Sequence, residues 1–214
     1  MAGAKRLVIE GIITTENSDG SMHIAPIGPH VNFDLTDWIL KPFQTSTSFS
    51  NLRISNRCVF HVIDHSLLMA AAVLGLCNDV IQTHTTPGIP TKWKGQIQEL
   101  TEAEFDPAIG WVLESSCRIF ALSVQNWDVS QPRANANCTL TKQCERHPFW
   151  GWNRASHSIL ELSILASRVH MLERSVIDNE LARHKIIIEK TAGPNELDAW
   201  ELLNAHLANH KELE

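Results

Sequence analysis

Two short stretches near the start of the 214-residue chain carry the residue types best suited to hold a small molecule. In "QTSTSFSNL" (44–52) the hydroxyls of Ser46, Thr47 and Ser48 open what reads as a short helix ending near Asn56. The unpaired N–H groups of a helix start bind phosphates, and Arg53 and Arg57 follow close enough to add a charge-assisted fork. A plain helix cap with solvated neighbours is the other reading of the same hydroxyls. The second stretch, "SMHIAPIG" (21–28), reads as a strand that carries Pro26 among the small residues Ala25 and Gly28. Proline lacks the ladder donor and small neighbours clear the backbone, so the segment belongs at a sheet edge. There it either ends the strand or offers a surface on which something flat can lie.

Other combinations are weaker. "HVIDH" puts His61, Asp64 and His65 within five residues, and His147, Cys138 or Cys144 would complete a metal sketch. The spacing matches no established zinc pattern, and no metal is expected. There is no GxSxG elbow and no HExxH, so a hydrolase triad has nothing to rest on. Trp150 and Trp152 flank Gly151, where they either cover a ligand or pin a helix to the rest of the fold, and pinning is the preferred reading. Trp93, in the apparent loop "HTTPGIPTKWKG" (84–95), is the candidate for a mobile lid.

The elements that position these residues follow from patterning. "RLVIEGIITT", the Asp19-Gly20 turn and "SMHIAPIG" form a hairpin, and "DWILKPF" adds a further strand. "RCVFHVI" reads as a buried strand, and "HSLLMAAAVLGL" as a helix capped by Asp64 or Ser66. "WVLESSCRIFALSV" reads as the last strand region, followed by a polar link, "SQPRANANC". From Asn153 the period becomes helical, predicting a helix of about five turns over 153–173, another around 178–190, and a third entered at Pro194 or Asn195. A β-rich domain over 1–148 and a helical unit over 149–214 are expected.

Composition bounds the function. With 43% hydrophobic and 20% charged residues the chain is an ordinary globular one. A formal charge of −6 argues against nucleic acid as its partner. No apolar run approaches the ~20 residues of a membrane helix, and the start lacks a signal peptide's apolar core, so a cytoplasmic protein without a membrane partner is expected. Five cysteines with no CxxC pair read as reduced thiols.

The ordered motifs "EGIITT…DG…APIG", "SFSNL", "RCVFHVIDH", "NRA", "ILASR" and "IIIEKT" resemble an uncharacterised family of flavin-mononucleotide-binding split-barrel proteins, related to flavin reductase-like and pyridoxamine oxidase-like barrels. The resemblance covers nearly the whole chain. It implies an α+β fold, a six-stranded Greek-key split β-barrel with a C-terminal helical unit, binding FMN non-covalently near the interface of a homodimer. It places Ala25, Pro26 and Ile27 against the isoalloxazine ring. Ser46, Thr47, Ser48 and Asn51 fall at the phosphate and ribityl site, with Arg57 and His61 nearby. Asn153 and Arg154 match the motif that opens the C-terminal helix and are candidate cofactor-binding residues, with Arg154 either reaching the phosphate or tying helix to barrel. Phe49 replaces a common tyrosine and His61 a common asparagine; Glu161, Glu189 and Lys190 match family positions that read as ion pairs. The function implied is an FMN-dependent oxidoreductase acting on a small molecule, with a nicotinamide or other donor. The alternatives are a flavin carrier or sensor without turnover, or a dimeric scaffold for another ligand such as a deazaflavin.

Overall fold

The computed structural model describes residues 6–81, 91–149 and 151–209. The part of the expected loop over 84–90 and Trp150 lie outside the described residues. The strands are β1 (Leu7–Val8), β2 (Gly11–Glu16), β3 (Met22–Ile27), β4 (His30–Val31), β5 (Asp37–Leu40), β6 (Arg57–Val62), β7 (Ala103–Asp106), β8 (Gly110–Leu113), β9 (Arg118–Asp128) and β10 (Asn135–Glu145). The helices are α1 (Thr47–Ser55), α2 (Ser66–Val73), α3 (Leu76–Ile81), α4 (Thr91–Leu100), α5 (Arg154–Ala166), α6 (Arg174–Thr191) and α7 (Pro194–Asn209). Among the described residues no helix is long and apolar enough to cross a membrane.

The main sheet is antiparallel in the order β1-β4-β5-β10-β9-β6-β2-β3. Its two ends are one object. The hairpin turn at Asn17–Ser21, with Gly20 at φ +82°, joins β2 to β3, and the same two chains run on as β1 and β4. The far half of this long hairpin pairs with β5 and the near half with β6. The bends at 9–10 and 28–29 therefore curl the sheet into a split barrel. The expected Greek-key split barrel is present, with eight strands in the main sheet, two of them only two residues long, and a separate β7–β8 hairpin.

The barrel interior is apolar and full. Trp38 is 1% exposed, with its ring centroid 5.3 Å from that of Phe60 and 4.9 Å from that of Phe120. Ile13, Leu40, Leu52 and Leu122 fill in around them. Outside the barrel, Val59, Ile119 and Ala121 are covered by Ile109 and Val112 of the β7–β8 hairpin. The outer faces of β2 and β3 (Ile12, Met22, Ile24) pack with α2, α5, α6 and α7 in a second core. That core spans the expected boundary near 149, because α2 belongs to the same layer as the C-terminal helices.

One buried carboxylate ties those helices together. Glu196 is 3% exposed, and its Oε1 accepts from the hydroxyls of Ser66 (3.1 Å) and Ser156 (3.0 Å) while Oε2 accepts from Gly193 N–H (3.0 Å). Beside it, Asn195 Oδ1 accepts from Leu67 N–H at 3.3 Å. The starts of α2, α5 and α7 thus converge on a single acidic group, as helix N-termini favour.

Several expectations are corrected. β10 occupies the supposed polar link: Ala136 and Cys138 point inward and Asn135, Asn137 and Thr139 alternate with them, a period-two pattern masked by small and polar residues. The five-turn helix stops at Ala166, because the Ser167 hydroxyl turns back onto the Ile164 carbonyl at 2.7 Å and a short 3-10 turn follows. Neither Asp64 nor Ser66 caps α2; His65 stands at the cap position without a side-chain bond. Residues 91–95 are helical, and Trp93 is 3% exposed with Nε1 donating to Asp198 at 3.1 Å, so it is a core anchor and not a lid.

His61 is also corrected. It lies on the outward face of β6, fully buried beneath β8, where Nε2 accepts from Leu113 N–H at 3.2 Å. It faces no ligand surface. Burial pushes its pKa down to about 3, so the ring is neutral in the folded state.

Two predictions follow from this architecture. An added Cβ at Gly11 would sit 2.5 Å from the His61 carbonyl and 2.6 Å from the Phe60 ring, whereas one at Gly28 would meet only the Glu10 carboxylate, at 2.7 Å. Gly11→Ala is expected to cost about 1–3 kcal/mol in denaturant unfolding, as overpacking against backbone does, and Gly28→Ala under about 0.5 kcal/mol because a flexible side chain can swing away. Equal effects would refute this account of the bend. For His61 the unfolded state takes up a proton near pH 6.5 and the folded state does not until about pH 3. Stability is full above ~6.5 and falls as pH drops below it, by up to about 1.4 kcal/mol per pH unit from this group. His61→Gln, which keeps an acceptor for Leu113, should flatten that slope.

Candidate functional site

Helix α1 packs against β2 and β3, which brings the hydroxyl-rich turn to the side of the edge strand. Ser46 is the N-cap: its Oγ accepts from Phe49 N–H at 3.2 Å and donates to the Phe43 carbonyl at 2.7 Å. Thr47 is exposed and Ser48 buried at the first turn, where backbone N–H groups have no intrahelical acceptor. Asn51 is buried and its Nδ2 donates to Thr15 Oγ1 (3.0 Å) and Asn17 Oδ1 (2.8 Å), pinning the helix to β2 and the hairpin turn. Arg57 is committed as well: it pairs with Glu16 at 2.9 Å and donates to the Pro107 carbonyl at 2.7 Å. These two bonds hold the Arg57 guanidinium between β2 and the β7–β8 turn.

Two arginines pack on aromatic rings around α1, Arg53 from its last turn and Arg133 from the segment before β10. Arg53 lies 5.4 Å from the Trp127 ring centroid, and Trp127 makes an edge contact with Phe49 at 5.2 Å. Arg133 lies 4.1 Å from the Phe43 centroid and forms a backbone bridge with that residue, whose carbonyl also receives Ser46 N–H. Arg133 sits in the segment read as a polar link; only recognition of β10 would have brought it to α1.

β3 is the free edge of the sheet. Asn78 of α3 imitates a missing strand there, accepting from Ile24 N–H and donating to the Ile24 carbonyl, both at 2.8 Å. Both Ile24 groups thus point away from β2. Pro26, two residues on, has the same orientation, so its absent N–H removes no ladder bond. Pro26 is exposed, while Ala25 and Ile27 turn toward the barrel core. The edge beyond Asn78 offers the Pro26 carbonyl and its exposed pyrrolidine ring.

Asn153 and Arg154 are elsewhere. Asn153 caps α5, accepting from Ala155 N–H (2.7 Å) and Ser156 N–H (3.2 Å) and donating to the Thr191 carbonyl (3.3 Å). Arg154 is exposed and lines a groove of about 460 Å³ with Glu161 and His184, in which no residue of α1 or β3 takes part. Lys185 is 3.7 Å from Glu189, an ion pair along α6. Trp152 is 88% exposed and stacks on His157, with centroids 5.1 Å apart, so it does not pin the helices to the barrel.

Two further cavities, one of about 740 Å³ and one of about 400 Å³, share Ile9, Glu10, Val62 and Phe149, and the smaller reaches the helices through Ser66, Met69 and Ile159. Loss of water, reinforced by Glu161, raises the Glu10 pKa, although the residue as a whole is exposed. Cys117 in the larger cavity has its thiol pushed up to about 12 by burial and by Asp64, which makes it no nucleophile at neutral pH. The residues of the metal sketch do not converge as a set: Cys138 is in the barrel core, Cys144 is exposed on β10 and His61 is sealed under β8.

Comparison with known proteins fits this geometry. No curated protein matches the sequence. The FMN-bound protein MM1853 from Methanosarcina mazei is similar in structure, with a TM-score of 0.73 at 16% identity over 96% of this chain and 97% of that one. A putative flavin reductase from Haemophilus somnus reaches a TM-score of 0.45 at 8% identity, covering 68% of this chain and 83% of the other. The styrene monooxygenase flavin reductase of Pseudomonas putida reaches 0.44 at 10% identity, covering 64% and 82%. The N-terminal domain model of the protein family of unknown function DUF447 matches residues 9–146 and its companion model matches 153–205, so the chain belongs to the DUF447 family.

Proposed function

We propose that this chain binds FMN between the open edge of β3 and the start of α1, and that it works as a flavin-dependent oxidoreductase. The observation that carries the reading is the adjacency, within a fold shared with an FMN-bound relative along nearly its whole length, of an exposed strand edge at Pro26 and the start of α1 with its unpaired N–H groups. Pro26 provides the flat contact for an isoalloxazine ring. The free N–H groups of Thr47 and Ser48, with Arg53 and Arg133 around α1, suit the phosphate of FMN. The flavin supplies hydride or electron transfer, and the chain supplies orientation, charge balance and shielding from water. A homodimer is part of the reading, with Phe43 and Ile54, 50% and 74% exposed just before and within α1, available to a partner.

Purified protein should show the two near-visible flavin absorption bands or acquire them with added FMN. Arg53→Ala with Arg133→Ala should raise the FMN Kd at least about tenfold and leave the riboflavin Kd unchanged, since only FMN carries the phosphate. No flavin binding at all, or equal effects on both flavins, would refute the site. Anaerobic mixing with NADH or NADPH should bleach the bound flavin; stable yellow colour would assign a carrier or sensor role. Light scattering should give twice the 24.0 kDa chain mass, and a stable particle of one chain mass would refute the dimer.

A further inference from the structure

We propose that Asp64, Cys117 and His147 bind a divalent transition-metal ion of the zinc class, with a further coordination position open to the cavity. Their ligand atoms all lie within 4.8 Å of one another. Three segments far apart in sequence meet there: the exit of β6, the turn before β9 and the end of β10.

The meeting is fixed by backbone bonds centred on Cys117. Its N–H donates to the Val62 carbonyl at 2.9 Å, and its carbonyl accepts from Arg146 N–H at 2.9 Å and His147 N–H at 3.3 Å. The Cys117 residue is 2% exposed and cannot drift. The His147 ring has Nε2 3.3 Å from the Ser115 carbonyl and Nδ1 3.5 Å from the Pro148 carbonyl, so whichever nitrogen binds the ion leaves the other beside a carbonyl, the kind of outer contact that holds a ligating imidazole in place.

The donor set selects the ion. One thiolate, one imidazole and one carboxylate suit zinc and its near neighbours; magnesium and calcium require oxygen ligands. Bonds of about 2.0–2.3 Å put tetrahedral ligands roughly 3.5 Å apart, so rotamer shifts of about an ångström in Asp64 and His147 close the site. Cys117 and His147 line the cavity of about 740 Å³, with Arg118 and Arg146 in the same wall. Three protein ligands and an exposed fourth position leave a place for water or a substrate oxygen.

Cobalt(II) tests this on the full chain, stripped with a chelator. One equivalent should bind and give a thiolate-to-cobalt charge-transfer band, which Cys117→Ser removes. His147→Ala and Asp64→Asn should each weaken Co²⁺ binding at least about tenfold. His147 is exposed, so its variant should keep the far-ultraviolet circular dichroism of the parent and remains decisive if the Cys117 variant misfolds. Substoichiometric binding, a charge-transfer band that survives in Cys117→Ser, or unchanged affinity in His147→Ala would overturn the proposal. None of these readouts depends on flavin.

Discussion

The fold depends on one long hairpin that must bend in the middle. Residues 7–31 pair with β6 through one half and with β5 through the other, and the sheet curls into a barrel only because the hairpin changes direction between them. At Gly11 the neighbouring backbone approaches too closely for any side chain, so β2 can lie against β6 at that point. The same bend leaves β3 as the free edge and turns Glu10 outward into the cavities. Barrel closure, the exposed β3 edge and the cavity wall are consequences of one backbone constraint.

The helical layer has its own organising group. Burying a carboxylate is costly unless every lone pair that loses water finds a donor, and Glu196 finds two hydroxyls and an amide. Because those donors sit at the starts of three helices, the charge also meets three positive dipole ends. The apolar contacts of the second core set how strongly the helices pack; the carboxylate sets where their ends meet.

Legibility from sequence followed the strength of local signals. The Asp19-Gly20 turn, the Ser46 cap and the run through "RCVFHVI" were readable because turn, cap and buried-strand chemistry is local. Pro26 was readable as an edge residue, although its orientation is settled only by the Asn78 amide, 54 residues away in sequence. β10 was missed because Ala136 and Cys138 are weak hydrophobic markers set among asparagines and threonines. With β10 went Arg133, and with the β8–β9 turn went Cys117, whose partners come from segments no periodicity links. Arg57, Asn51 and His61 are polar residues whose partners inside the protein, Glu16, Thr15 and Leu113, lie on other strands that sequence spacing does not link to them.

The barrel interior holds Trp38, Phe60 and Phe120 with aliphatic filling and has no room for a ligand, as in other small closed sheets. Chemistry is thereby displaced to the outside of the barrel, where irregular backbone leaves donors, acceptors and titratable groups unshared by the sheet. Two such places exist among the described residues: the edge beside α1, and the seam where the ends of β6, β9 and β10 meet the helices. The first holds the start of α1 with the unpaired N–H groups of its first turn, which under the proposed reading suits an anionic cofactor. The second gathers Glu10, Asp64, Cys117 and His147 around cavities large enough for a small molecule, which suits a cation and what the cation polarises.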